Sequence, residues 1–153
     1  SCAPAARILA TQLNQAGNSR EAGEVLRKAL ERNPDSGDLH YSLGLLAAEE
    51  QDYSSALRHL GKAAELLPRH PRAQYNYGLA LQHVGRRQEA EQQLKKAHQA
   101  NPDDLDVTNA LLVFYMQQNS PLQALPYAER LLAQAPGNPE LGQLVQQLRQ
   151  QVR

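Results

Sequence analysis

Histidine, cysteine and the acidic side chains are where chemistry would have to begin, and their spacing argues against it. The five histidines, His40, His59, His70, His83 and His98, never fall three or four residues apart, so no helical turn offers two imidazoles to one metal ion. His59 and His98 are expected on solvated helix faces, and His70, which precedes Pro71, at a helix cap. The one cysteine, Cys2, excludes an internal disulfide and any multi-cysteine metal or haem site. At the start of the chain its thiol reads as incidental, although Ser1-Cys2 also echoes a lipoprotein processing site. There is no glycine-rich phosphate loop, no G-x-S-x-G and no nucleophile with an identifiable base. The expectation is a protein that is not an enzyme, with no metal and no cofactor.

The elements behind these residues can be bounded by composition. The 153 residues suffice for one domain, 1–153, with a buried core. Hydrophobic residues make up 41% and charged residues 21%, which opposes intrinsic disorder. The 16 basic and 16 acidic side chains cancel, and this disfavours a nucleic-acid partner. No apolar run reaches the roughly 18–20 residues of a bilayer span, so direct membrane insertion is not expected. Leucine and alanine dominate while tryptophan is absent and phenylalanine occurs once, the composition of an all-α protein. A single cysteine fits cytoplasm and periplasm equally, and the compartment stays unknown.

Internal repetition organises the chain. Pro34, Pro68, Pro102 and Pro136 stand 34 residues apart, and Ala22, Ala56, Ala90 and Ala124 keep the same interval. So do Ala10, Gly44, Gly78 and Leu112, and likewise Leu9, Leu43, Tyr77 and Leu111. Within a unit the apolar spacing is helical: Leu39, Leu43, Leu46 and Ala47, then Ala56, Leu57, Leu60, Ala63 and Ala64 after a turn at Gln51-Asp52. The equivalent turns, Gly17-Asn18, Gly85-Arg86 and Asn119-Ser120, put Gly or Asn where a helix closes in the left-handed region. The recurring proline ends the second helix. Ser36, Asp104, His70-Pro71 and Asn138-Pro139 start the next one. Each unit is a helical hairpin whose small residues at its eighth and twentieth positions allow close crossing.

The fourth unit departs from the others. Ala128 replaces Leu26, Leu60 and Leu94, and Leu131 replaces Ala29, Ala63 and Ala97. This exchange predicts a repacked last hairpin, and Pro126 predicts a kink in its second helix. Residues 139–153 carry the apolar stripe Leu141, Leu144, Val145, Leu148 and Val152 on a glutamine-rich background, as a capping helix would. A first unit that begins almost at Ser1 reads as a piece of a longer or processed protein.

The motifs His40-Tyr41-Ser42-Leu43-Gly44, Asp52-Tyr53, Ala56, Leu60, Ala63 and Pro68 resemble the tetratricopeptide repeat (TPR) family. Gln74-Tyr75-Asn76-Tyr77-Gly78, Ala90, Leu94, Ala97 and Pro102 repeat the resemblance. The repeats are 3–36, 37–70, 71–104 and 105–138, followed by the capping helix 139–153. The family's tryptophan is missing, with Ala6, His40, Gln74 and Thr108 in its place. The resemblance implies an all-α, right-handed α-solenoid that acts as a scaffold and holds a peptide or helix of a partner protein on its concave wall. Carried over by position, that wall contains Arg7, Thr11, Asn14 and Gln15, then Asp38, Tyr41, Ser42 and Glu49. It continues with Arg72, Tyr75, Asn76, Gln82 and His83, then Asp106, Asn109, Met116 and Gln117.

Tyr41 and Tyr75, one repeat apart, are expected to stack as neighbouring rungs and to form the groove centre with Asn76, while Arg7, Arg72 and Asn109 orient the ligand. Met116, beside Phe114 and Tyr115, reads as partial core. The carboxylate clamp of chaperone-binding members would need Arg7, Thr11, Ser42, Arg72 and Asn76 to stand in for its lysine and asparagine set, and the match is poor. Two other functions follow from the sequence. One is an appended module of a larger bacterial protein, since the C-terminal wording resembles TPR segments of periplasmic multihaem cytochromes. The other is homo-oligomerisation through the uncapped N-terminal face.

Overall fold

The computed structural model describes residues 2–153, and the expectations attached to Ser1 and the Cys2 thiol lie outside the described residues. Among these, nine helices follow one another: α1 (Cys2–Gln15), α2 (Ser19–Arg32), α3 (Gly37–Glu49), α4 (Tyr53–Leu66), α5 (Pro71–His83), α6 (Arg87–Ala100), α7 (Leu105–Gln117), α8 (Pro121–Gln134) and α9 (Pro139–Gln151). Their starts are set locally. Ser36, Asp52, His70, Asp104 and Asn138 each accept a backbone N–H of the first turn they precede, satisfying donors that helix geometry leaves unpaired. All four hairpin turns enter the left-handed region, at Gly17, Gln51, Gly85 and Asn119.

Volume exchange decides how each hairpin closes. A Cβ on Gly44 would lie 2.6 Å from Leu60 Cγ and 3.0 Å from the Leu60 backbone nitrogen, and one on Gly78 would lie 2.9 Å from Leu94 Cγ. The two helices therefore meet backbone against leucine. In the fourth hairpin Leu112 and Ala128 hold the same two positions, both buried, so the large and small partners have changed sides. The bulk missing at Ala128 is supplied by Leu112 across the crossing. Leu131, expected to compensate from three residues away, is only half-buried. Helix α8 runs unbroken through Pro126, which lies in its second turn and is exposed.

Two of the residues in the place of the missing tryptophan, His40 and Gln74, make polar ties instead. His40 donates from Nε2 to the Pro34 carbonyl at 2.9 Å, and Gln74 donates from Nε2 to the Pro68 carbonyl at 2.9 Å. Each tie binds the first helix of one hairpin to the turn that closes the hairpin before it.

The hairpins stack in chain order, each second helix packing on the next first helix, as a solenoid does. The first helices α1, α3, α5 and α7 also touch in succession and form the inner face. Helix α9 buries Val145 and Leu148 in the core cluster that contains Leu94, Leu111 and Phe114. It packs on α8, yet no Cα of α9 comes within 8 Å of one in α7.

Candidate functional site

The inner face is a ladder whose rungs are hydrogen bonds one repeat apart. Asn14 donates to Glu49 at 2.8 Å, Asn76 donates to the Tyr41 hydroxyl at 3.0 Å, and Gln82 donates to Gln117 at 2.7 Å. Ion pairs continue the pattern: Arg7 lies 3.4 Å from Asp38, and Arg72 lies 3.5 Å from Asp104 and 3.2 Å from Asp106. Apart from the mostly buried Asp104, these side chains are about half exposed, so the Arg7–Asp38 and Arg72–Asp106 pairs contribute little stability and mainly fix side-chain direction. Thr11 and Ser42 turn their hydroxyls back onto their own helix, donating to the Arg7 and Asp38 carbonyls.

The wall residues placed by register thus come together, but mostly with one another. Tyr41 and Tyr75 do not stack as expected. The Tyr41 ring packs 5.1 Å from His70, and the Arg72 guanidinium sits 4.5 Å over the Tyr75 ring. Two residues one repeat apart share a register without sharing a contact, because each ring follows its own rotamer. Burial, opposed by nearby Arg72, pushes the Tyr75 phenol above its ordinary range. His83 stacks on Tyr53 at 3.9 Å. Asn109 is exposed on α7.

Three further expectations are corrected. Met116 is 42% exposed and belongs to the wall, since core packing on α7 is taken by its neighbours Phe114 and Tyr115. His59 is half-buried between helices, with its Nδ1 3.1 Å from His40 Nδ1. The Nε2–H tautomer of His40, used on Pro34, leaves its Nδ1 free to accept. Burial first, then the charges of Arg58, His40 and Arg27, hold His59 down to about 4. His98 is half-buried against the edge of Tyr127, and burial, with Arg130, holds it below its ordinary range. Among the described residues no three His, Cys, Asp or Glu side chains group to hold a metal ion, and no described helix is long and apolar enough to cross a membrane.

The wall carries open space at both ends. Arg7, Thr11, Asn14, Ser42 and Glu49 border a hollow of about 300 Å³. A groove of about 790 Å³ lies between α7 and α9, lined by Leu105, Asp106, Asn109, Val113, Met116, Leu131, Glu140, Leu141 and others. Sequence reasoning placed Asp106, Asn109 and Met116 on the wall but missed Leu105 and Val113. The available signal was that apolar residues recur along α7 beyond what its buried face uses.

Comparison with known proteins agrees with this architecture. One tetratricopeptide repeat profile matches residues 47–111 and 81–148, and a second matches residues 9–64. The type IV pilus assembly protein PilF of Pseudomonas aeruginosa is 35% identical over 120 residues, 77% of this chain and 48% of PilF, so the chain spans about half the length of that relative. The solved PilF structure superposes with a TM-score of 0.79 at 31% identity, over 96% of this chain and 67% of the other. MamA shares the fold at a TM-score of 0.81 and 20% identity, over 91% of this chain and 81% of its own. One chain of the APC/C hetero-tetramer Cut9–Hcn1 shares it at 0.77 and 21% identity, over 94% of this chain and 29% of its own.

Proposed function

The chain belongs to the tetratricopeptide repeat family, and from that premise we propose that it is a non-enzymatic scaffold whose concave wall docks a peptide or helix of a partner protein. The observation that carries this reading is the alignment of α1, α3, α5 and α7 into one face with side chains tied one repeat apart. A wall ordered before binding loses little side-chain entropy when a ligand lands on it. Tyr41, Tyr75 and Asn76 form its centre, where an aromatic body with a polar tip suits recognition. Arg7, Arg72 and Asn109 orient the ligand, the arginines being aimed by Asp38, Asp104 and Asp106. Thr11, Asn14, Asp38, Ser42, Glu49 and His83 complete the lining. Both the occurrence of Cut9 in a complex with Hcn1 and the pilus-assembly role in PilF's name support a partner protein as ligand.

Capture from a lysate of the source organism tests the reading. The double substitution Tyr41→Ala with Tyr75→Ala is expected to abolish capture of the wild-type partner while the circular dichroism stays helical. Undiminished capture moves the site off the wall centre.

A second reading, pairing of two copies through α1, rests on Ile8 and Leu9, which are 62% and 46% exposed. Light scattering across a concentration series separates it from a monomeric scaffold.

A further inference from the structure

The C-terminal end of the wall differs in kind from the rest. Up to α7 every first helix touches its predecessor, and hydrogen bonds tie the side chains between them. Between α7 and α9 no such contact forms, and the gap opens as the groove of about 790 Å³. Its surface is apolar where the preceding rungs are polar: Leu105, Val113 and Met116 are 44%, 41% and 42% exposed on one helix. Leu131 lines it at the position where the first three hairpins carry Ala29, Ala63 and Ala97. A leucine at that junction adds to the groove apolar surface that an alanine would not. The rim carries charge of one sign only, on both sides of the groove. Asp106 and Glu140 line the groove and no cation does, and Arg72, which pairs with Asp106, is shared with Asp104.

We infer that this groove is the anchoring subsite of the wall, and that its occupant is a segment of a partner protein carrying two large apolar side chains next to a lysine or arginine. The inference rests on the docking function proposed above and adds the chemistry of the ligand. Covering the exposed apolar carbon supplies the affinity. A cation beside Asp106 and Glu140 completes the charge pattern, and an acidic neighbour is repelled. The polar rungs nearer the N-terminus then hold the rest of a longer segment, on side chains already ordered by their mutual hydrogen bonds.

The test is selection of random heptapeptides on the full chain, peptides short enough to fill the groove without running along the wall. The selected sequences are expected to pair two of Leu, Ile, Phe, Met or Trp with an adjacent Lys or Arg. The best binder, labelled for fluorescence polarisation, is expected to lose about tenfold or more in affinity with Met116→Glu. It should also weaken with Glu140→Lys, and with Leu131→Ala, which removes part of the apolar lining. With Arg20→Ala, on the outer helix α2 and away from the wall, it should stay within about threefold. Acidic or polar consensus sequences overturn the inference. A binder sensitive to Tyr41→Ala and indifferent to Met116→Glu overturns it too, but leaves the docking wall standing. Failure to select any peptide, or binding indifferent to both substitutions, overturns both.

Discussion

At the scale of single residues, two side chains sit in places that cost stability and can be read by measurement. Gln51 holds φ at 63°, a left-handed backbone that the matching turns at Gly17 and Gly85 reach with glycine. Removing the Cβ relieves that strain, partly offset by the greater freedom of glycine in the unfolded chain. Gln51→Gly is expected to stabilise the fold by about 0.5–1 kcal/mol in urea titration. His59 gives a pH dependence. Its ordinary value is 6.5 and the folded value about 4, so above pH 6.5 both states are neutral and nothing is lost. Between 6.5 and 4 the unfolded chain takes up a proton that the folded chain refuses, and stability falls as pH falls. After discounting for solvent reaching a half-exposed ring, the loss is about 1–2 kcal/mol. His59→Gln is expected to flatten that part of the profile, and a profile unchanged by the substitution would assign the pH dependence elsewhere. The caps at Ser36, His70, Asp104 and Asn138 were legible in the sequence because capping is local. The His40–His59 pair was not, since its partners lie 19 residues apart on different helices.

At the scale of helices, the 34-residue period made the elements legible: the second helices α2, α4, α6 and α8 begin 34 residues apart, at Ser19, Tyr53, Arg87 and Pro121. What the period could not show was which departures answer each other. Ala128 and Leu131 attract attention as neighbours in sequence, but Ala128 is matched by Leu112 across the helix crossing. A double-mutant cycle tests this pairing. Leu112→Ala alone opens a cavity and is expected to cost about 2–5 kcal/mol. Ala128→Leu alone overpacks the crossing, at about 1–3 kcal/mol. Combined, they restore the large–small arrangement of Gly44 with Leu60, so the total should fall below the sum by at least about 0.5 kcal/mol. Strict additivity would mean that the two side chains do not meet.

At the scale of the whole molecule, repetition does two things. It spreads the core along a line, so that every hairpin leaves one helix facing inward, and it brings equivalent positions into rungs. Register alone located Arg7, Asp38, Tyr41, Arg72 and Asn76 on that face. Their mutual pairing was hidden, because it depends on how far each helix is rotated and which rotamer each side chain takes. The apolar groove was hidden for another reason: it arises from the spacing between α7 and α9, which no residue in either helix reveals alone. The balanced charge of the chain, with 16 basic and 16 acidic side chains, fits a ligand recognised by shape and local charge rather than by a long-range field.

The central claim, that ligands are held on the inner face, is tested most directly by backbone amide chemical-shift mapping while a bound peptide is titrated in. The account predicts perturbations concentrated in α3, α5, α7 and α9, strongest around Val113, Met116 and Leu141. Shifts centred on the outer helices α2, α4, α6 and α8, with the inner helices silent, would contradict it.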